Sequence, residues 1–168
     1  MPKVKIGLKL LEMGPIAVDG GMGTVLTPLA CTVVDTALLT SEAATVTDFP
    51  IEEEDDPYYT SSVAGKKTLT FSSYDMDPAS LVRVLGGSAT TDASGNNIYE
   101  APSATPVIEQ SFRLTDQKGN ITEIPRGKVD AIIQQKFQKS GLAQVDVTVT
   151  VLKPTKAGVA PYRIISLP

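Results

Sequence analysis

FPIEEEDDPYYTSSVAGKKTLTFSSYDMDPASLVRVLGG, residues 49–87, holds three kinds of sequence in a row. It begins with five consecutive carboxylates, Glu52, Glu53, Glu54, Asp55 and Asp56. These repel one another and cannot be buried together without a desolvation cost of several kcal/mol each. They predict a long acidic loop spanning residues 49–65. Next, Thr68, Thr70 and Ser72 alternate with Leu69 and Phe71, the period-2 pattern of a half-buried strand. Asp77 followed by Pro78 then reads as a helix N-cap with proline in the first turn, and Gly86-Gly87 as its stop. A stub helix over about 78–86 is the only helix this stretch predicts.

The rest of the chain agrees with a mainly β fold. In 168 residues, 42% are hydrophobic but only 5% aromatic, with no tryptophan, so Val, Ile, Leu and Ala must build the core. That length fits a single domain, 1–168. Thirteen glycines and twelve prolines lie between short apolar runs, which favours turns over long helices.

Val4, Ile6, Leu8 and Leu10 alternate with Lys3, Lys5, Gly7 and Lys9, predicting a strand with one wet face. Gly14-Pro15 ends it, and residues 19–23 read as a flexible turn. Residues 24–34 are β-prone, with Pro28 marking an edge or bulge. Residues 43–49 predict a third strand, and 88–106 an exposed excursion with a turn at 94–97 and a short strand around Ile98-Tyr99. Residues 107–115, 121–124, 145–151 and 160–167 complete the strands. Residues 128–138 fit either period. Val129, Ile132, Ile133 and Phe137 suit a helix, whereas Val129, Ala131, Ile133 and Phe137 share a strand face.

The order of a charged loop, an alternating strand, a stub helix and a paired set of C-terminal strands resembles the tail tube proteins of tailed bacteriophages. The resemblance is strongest over residues 49–87 and 125–154. It implies a β-sandwich or barrel-like fold, and it favours a strand over 128–138, joined to the next by a Ser140-Gly141 turn. It further implies a structural virion protein whose hexameric rings stack into a conduit for DNA. Its partners would be other copies of itself, the tail terminator, the tape measure and the baseplate, with transient DNA contact in the lumen. Assembly would take place in the bacterial host cytoplasm. Inner tubes of bacterial contractile injection systems are the related alternative.

On this reading Glu52, Glu53, Glu54, Asp55, Asp56, Tyr58 and Tyr59 form an inter-subunit contact loop. The tyrosine pair could equally anchor the loop to its own domain. Asp130, Gln134, Asp146, Thr148 and Thr150 are candidates to line the channel. The net charge of −4 suits a wall that does not grip phosphates. Lys3, Lys5 and Lys9 are then expected away from the bore.

Other chemistries find less support in the residues. Histidine is absent, which removes the commonest general base and metal ligand. Cys31 is the single cysteine, so neither an intrachain disulfide nor a thiolate cluster can form; its apolar neighbours predict a small buried hydrophobe. Asp75 and Asp77 lack the glycine and terminal glutamate of a calcium loop. Residues 20–23 lack the lysine and hydroxyl of a phosphate-cradling loop. No spacing singles out a carboxylate pair for glycoside hydrolysis. A β-sandwich adhesin or carbohydrate-binding module would need an aromatic platform, which five tyrosines and no tryptophan supply poorly. The expectation is a non-enzymatic assembly unit with no cofactor and no metal. The lysines interrupting the N-terminal apolar residues do not form a secretory signal, and no apolar run is long enough to cross a bilayer.

Overall fold

A computed structural model describes residues 4–168. Twelve strands and one helix follow in order among them: β1 Leu8–Gly14, β2 Thr27–Pro28, β3 Leu38–Ser41, β4 Thr45–Ile51, β5 Glu54–Val63, β6 Lys67–Ser73, α1 Pro78–Leu85, β7 Ser88–Thr91, β8 Asn97–Glu100, β9 Ile108–Asp116, β10 Ile121–Gln134, β11 Gln144–Val151 and β12 Arg163–Ile165. The protein is mainly β with one short helix, as its sequence predicts.

Eight strands form one antiparallel sheet in the order β2-β1-β9-β10-β11-β6-β3, with β12 on β10. The two hairpins β4-β5 and β7-β8 stand as separate pairs. Among the described residues the sheet is open, with no barrel closure.

β10 is the hinge of this architecture. Its first half pairs with β9 and β12, and its second half, residues 127–134, pairs with β11 on one side and, as far as Val129, with β9 on the other. Between the halves the β9 register slips at Ile124/Gly127, where Pro125 sits. A bulge is where a strand tolerates proline. Buried Ser111 opposite this bulge donates to the Pro125 carbonyl and accepts from the Gly23 amide, at 2.6 and 2.9 Å. One cluster joins Leu11, Met13, Phe112 and Ile124 of the first half to Leu69, Phe71, Val145, Val147 and Val149 of the second. The sheet therefore folds across β10 onto a shared core.

Helix α1 closes that core with Leu81 and Val84. Asp77 caps it, its carboxylate accepting from the Ala79 amide, and Gly86 at φ 76° ends it. Arg83 in its last turn donates to the carbonyls of Met13, Thr27 and Pro28, fastening the helix to the β1-β2 pair.

Several expectations are corrected. Lys3 lies outside the described residues, and the first strand begins at Leu8, leaving Val4 and Ile6 exposed. Gly7 takes a left-handed φ of 63°, and a register shift between Leu8 and Leu10 changes the face, so Leu11 and Met13 are the buried pair. Residues 19–23 are packed rather than flexible: Gly20, Gly21 and Gly23 are buried and Asp19 accepts from the Gly21 amide. Of 24–34 only Thr27–Pro28 is strand, on the sheet edge that its proline foretells.

Cys31 is exposed, not buried, and holds a φ of 57°. The 88–106 excursion does hold the expected strand around Ile98-Tyr99, but as β8 of a β7-β8 hairpin, whose turn Asp92 organises by accepting from the Ser94 and Asn96 amides. Residues 128–134 are strand, but β10 stops at Gln134, so Phe137 does not join its face and is 90% exposed.

Candidate assembly surfaces

The acidic segment is a hairpin, not a long loop. Glu52 and Glu53 make the turn, and Glu54, Asp55, Asp56, Tyr58 and Tyr59 belong to β5. Two features make this possible. Thr, Val, Ile, Phe and Tyr dominate the flanks and favour the extended chain, and successive strand residues point to opposite faces, which spreads the like charges. Thr45, Thr47 and Phe49 pair with Val63, Ser61 and Tyr59, so one face carries Phe49, Tyr59 and Val63 together. The Phe49 and Tyr59 rings lie 5.9 Å apart. Every residue of β4 and β5 is exposed except half-buried Ser61. Tyr59 thus anchors the hairpin to itself rather than to the body of the domain.

A second surface is built by β10, β11, β6 and β3. The register sets Asp130 beside Thr148, Thr148 beside Thr70, and Thr70 beside Leu38. One step along, Ile132, Asp146 and Ser72 share a row; one step back, Lys128, Thr150, Thr68 and Thr40 do. Cross-strand partners share a face. All five sequence candidates, Asp130, Gln134, Asp146, Thr148 and Thr150, therefore lie on one polar face, opposite the valines of the core.

The charges on this face are largely settled internally. Lys128 binds Asp130 at 3.0 Å, and Arg126 forms a two-pronged pair with Glu109 on the neighbouring strand. That pairing holds the Glu109 carboxyl below its usual range and raises Arg126. Asp146 makes no ion pair among the described residues; it accepts from Ser72, Gln134 and Gln144 at 2.6, 2.5 and 2.8 Å. The face is therefore neutral to slightly negative.

The four strands end in open edges. Among the described residues β3 pairs only with β6. β10 pairs with β9 only as far as Val129, so among the described residues no strand lies beside 130–134 on that side. A cleft of about 510 Å³ flanks this free edge, walled by Tyr99, Pro102, Pro106, Ile108 and Ile133. Two large apolar side chains interrupt the polar face: Leu38 on β3 and Ile132 on β10, 60% and 67% exposed, at opposite edges.

Sequence reasoning missed both edges, because pairing partners are not written in any single strand. Phe137, Leu142, Lys136 and Lys139, in the turn after β10, also escaped it as surface groups. The polar, glycine-containing run QKFQKSG was the available signal for a loop there.

Lys5 reaches the hydroxyl of Thr122, in the first half of β10 and remote from the polar face; Lys9 is exposed. Among the described residues no group of three or more His, Cys, Asp or Glu is arranged to hold a metal ion. Among them, too, no helix is long and apolar enough to cross a membrane. No protein-family model matches the chain, and no characterised protein matches it in sequence.

Proposed function

We propose that this chain is a structural subunit that joins edge to edge into rings and stacks into a tube, as the tail tube proteins it resembles do. The observation that carries the reading is the pair of open edges on one sheet. The four-residue edge strand β3 and the free edge of β10 at 130–134 lie on opposite sides of the same four-stranded unit. Exposed strand edges are templates for uncontrolled pairing unless something covers them. A neighbour's complementary edge would do so, and rotational closure would make the head-to-tail contact finite.

In such a ring Leu38 of one copy would approach Ile132 of the next, giving both exposed apolar residues a partner. The polar face would line the channel. Its internally paired charges and the unpaired Asp146 would offer a passing DNA backbone little to hold. The setting would be a virion tail, or the related tube of an injection system, assembled in a bacterial cytoplasm. The role is architectural and needs no catalytic group.

Negative-stain electron microscopy combined with sedimentation velocity over a concentration series tests this. Rings or tubes that appear as concentration rises are the expected result. A protein that stays a monomer at every concentration would rule the reading out.

A further inference from the structure

β9 begins at Ile108, although the chain ahead of it could run further along β10. The register pairs Val129 with Ile108. Continued, it would set Val107 opposite Asp130, Pro106 opposite Ala131 and Ser103 opposite Gln134. The chain's own residues 103–107 would then close the free edge, and they do not. Residues 101–106 instead help to wall the cleft of about 510 Å³ beside that edge. Among the described residues, none of 101–107 is hydrogen-bonded to β10.

Two prolines and two glycines hold the segment off. Gly86 and Gly87, where α1 ends, both have left-handed φ, 76° and 91°. A Cβ built on Gly86 would lie 2.5 Å from Pro106 Cγ, and one on Gly87 would lie 3.2 Å from Pro102 Cδ. Each proline ring is therefore seated on a bare glycine, and the segment is clasped to the helix end at two points. Proline also resists the ladder directly. It has no N–H to give, and its φ of about −65° is far from the about −140° of an antiparallel strand. The residues around it are otherwise suited to pairing. Thr105 and Val107 are strand formers, and in register they would lie opposite and diagonal to Ile132, now 67% exposed.

Resting on the assembly reading above, we propose that this clasp is a gate on assembly: it keeps β9 from zipping along β10 and so holds the edge at 130–134 open for a second copy. Zipped, residues 103–107 would occupy the place that a neighbour's four-residue β3 needs. A tethered strand acts at an effective concentration on the order of millimolar, above that of a second copy in dilute solution. The zipped form is a monomer, and the clasped form is the one that polymerises.

Pro106→Val tests this, because it lifts the ring from Gly86 and supplies a strand former. Hydrogen exchange should show residues 103–107 and 130–134 about tenfold better protected than in the unsubstituted protein. Sedimentation velocity at equal concentration should show about tenfold less assembled material. Pro106→Ala, a smaller change, should move both readouts in the same direction. Adding Ala104→Pro and Thr105→Pro to Pro106→Val bars the ladder again, whichever of the two adjacent N–H groups faces β10, and should restore both. Unchanged or lower protection in Pro106→Val and Pro106→Ala would overturn the gate and leave edge-to-edge assembly standing. Protection gained with no loss of assembly would overturn both, since the edge would be closed and yet not needed. An unsubstituted protein that stays monomeric at every concentration would overturn the assembly reading and the gate with it.

Discussion

Arg163, on the last strand, binds the carboxylate of Glu123, a residue only 2% exposed on β10. Arg113 of β9 holds the other oxygen at 2.9 Å, so one buried acid fastens three strands. Burial alone would raise the Glu123 carboxyl, but the hydrogen bonds from Arg163 and Arg113 outweigh it and lower it from the usual 4.5. A depressed carboxyl stabilises the fold above its unfolded value, and that contribution disappears as pH falls through the folded value. Stability should therefore be flat from neutrality down to about pH 4.5 and then fall as Glu123 protonates. Glu123→Ala should cost about 2 kcal/mol, less than a fully buried pair because both arginines reach solvent. Hydrogen exchange should show β12, a short exposed strand, losing protection before the core. Unchanged β12 protection in this variant would mean that its ladder alone holds it.

Gly127 is a packing requirement rather than a conformational one. A methyl built on it would overlap Val149 Cγ1 and press on the Phe112 ring. Gly127 lies where β10 leaves the bulge and passes from one half of the sheet to the other. Gly127→Ala should destabilise by about 2 kcal/mol through overpacking. Adding Val149→Ala should recover part of the loss, a coupling that a double-mutant cycle in denaturant would measure.

Where burial repeats strictly every second residue, the sequence is transparent. Val145, Val147 and Val149 are buried as the alternation predicts, and Leu69 and Phe71 likewise. Asp77-Pro78 and Gly86 set the helix limits because caps act within a few residues. The failures share a different cause. The strand periodicity of residues 4–10 is broken by a left-handed glycine and a bulge, which only the β9 partner makes visible. Repulsion among the carboxylates argued for a loop, but the flanking β-formers and their cross-strand pairs prevail. The polar face was foreseen residue by residue, through its alternation. Its open edges were not, since an edge is defined by a strand that is missing.

Cys31 reverses its sequence expectation and so gives a sharp test. It is exposed and sits at a left-handed φ, a conformation most side chains avoid. Cys31→Ser should change stability by under about 0.5 kcal/mol. Cys31→Gly should be neutral or stabilising by about 0.5 kcal/mol, because glycine adopts that backbone without strain. A thiol reagent should modify Cys31 in the folded protein as fast as it modifies a free thiol. Slow modification that speeds up only on unfolding would show the side chain to be covered.

The hairpin offers the clearest separation of folding from assembly. Its strands pair only with each other, and neither adds a residue to the core cluster. Replacing residues 45–63 by a short Gly-Ser turn should leave the melting temperature of the domain nearly unchanged, since loop length costs little in closure entropy. On the proposed assembly, the shortened protein should still form rings, whose contacts would lie on β3 and β10, but should not elongate. Conversely, Leu38→Lys or Ile132→Lys places a charge at an open edge, the device by which natural sheets prevent pairing. Either should leave a folded monomer in sedimentation velocity, with the hairpin intact and nothing to stack. Tubes of normal length from the hairpin-less protein, or rings from the edge variants, would assign the two surfaces the wrong way round.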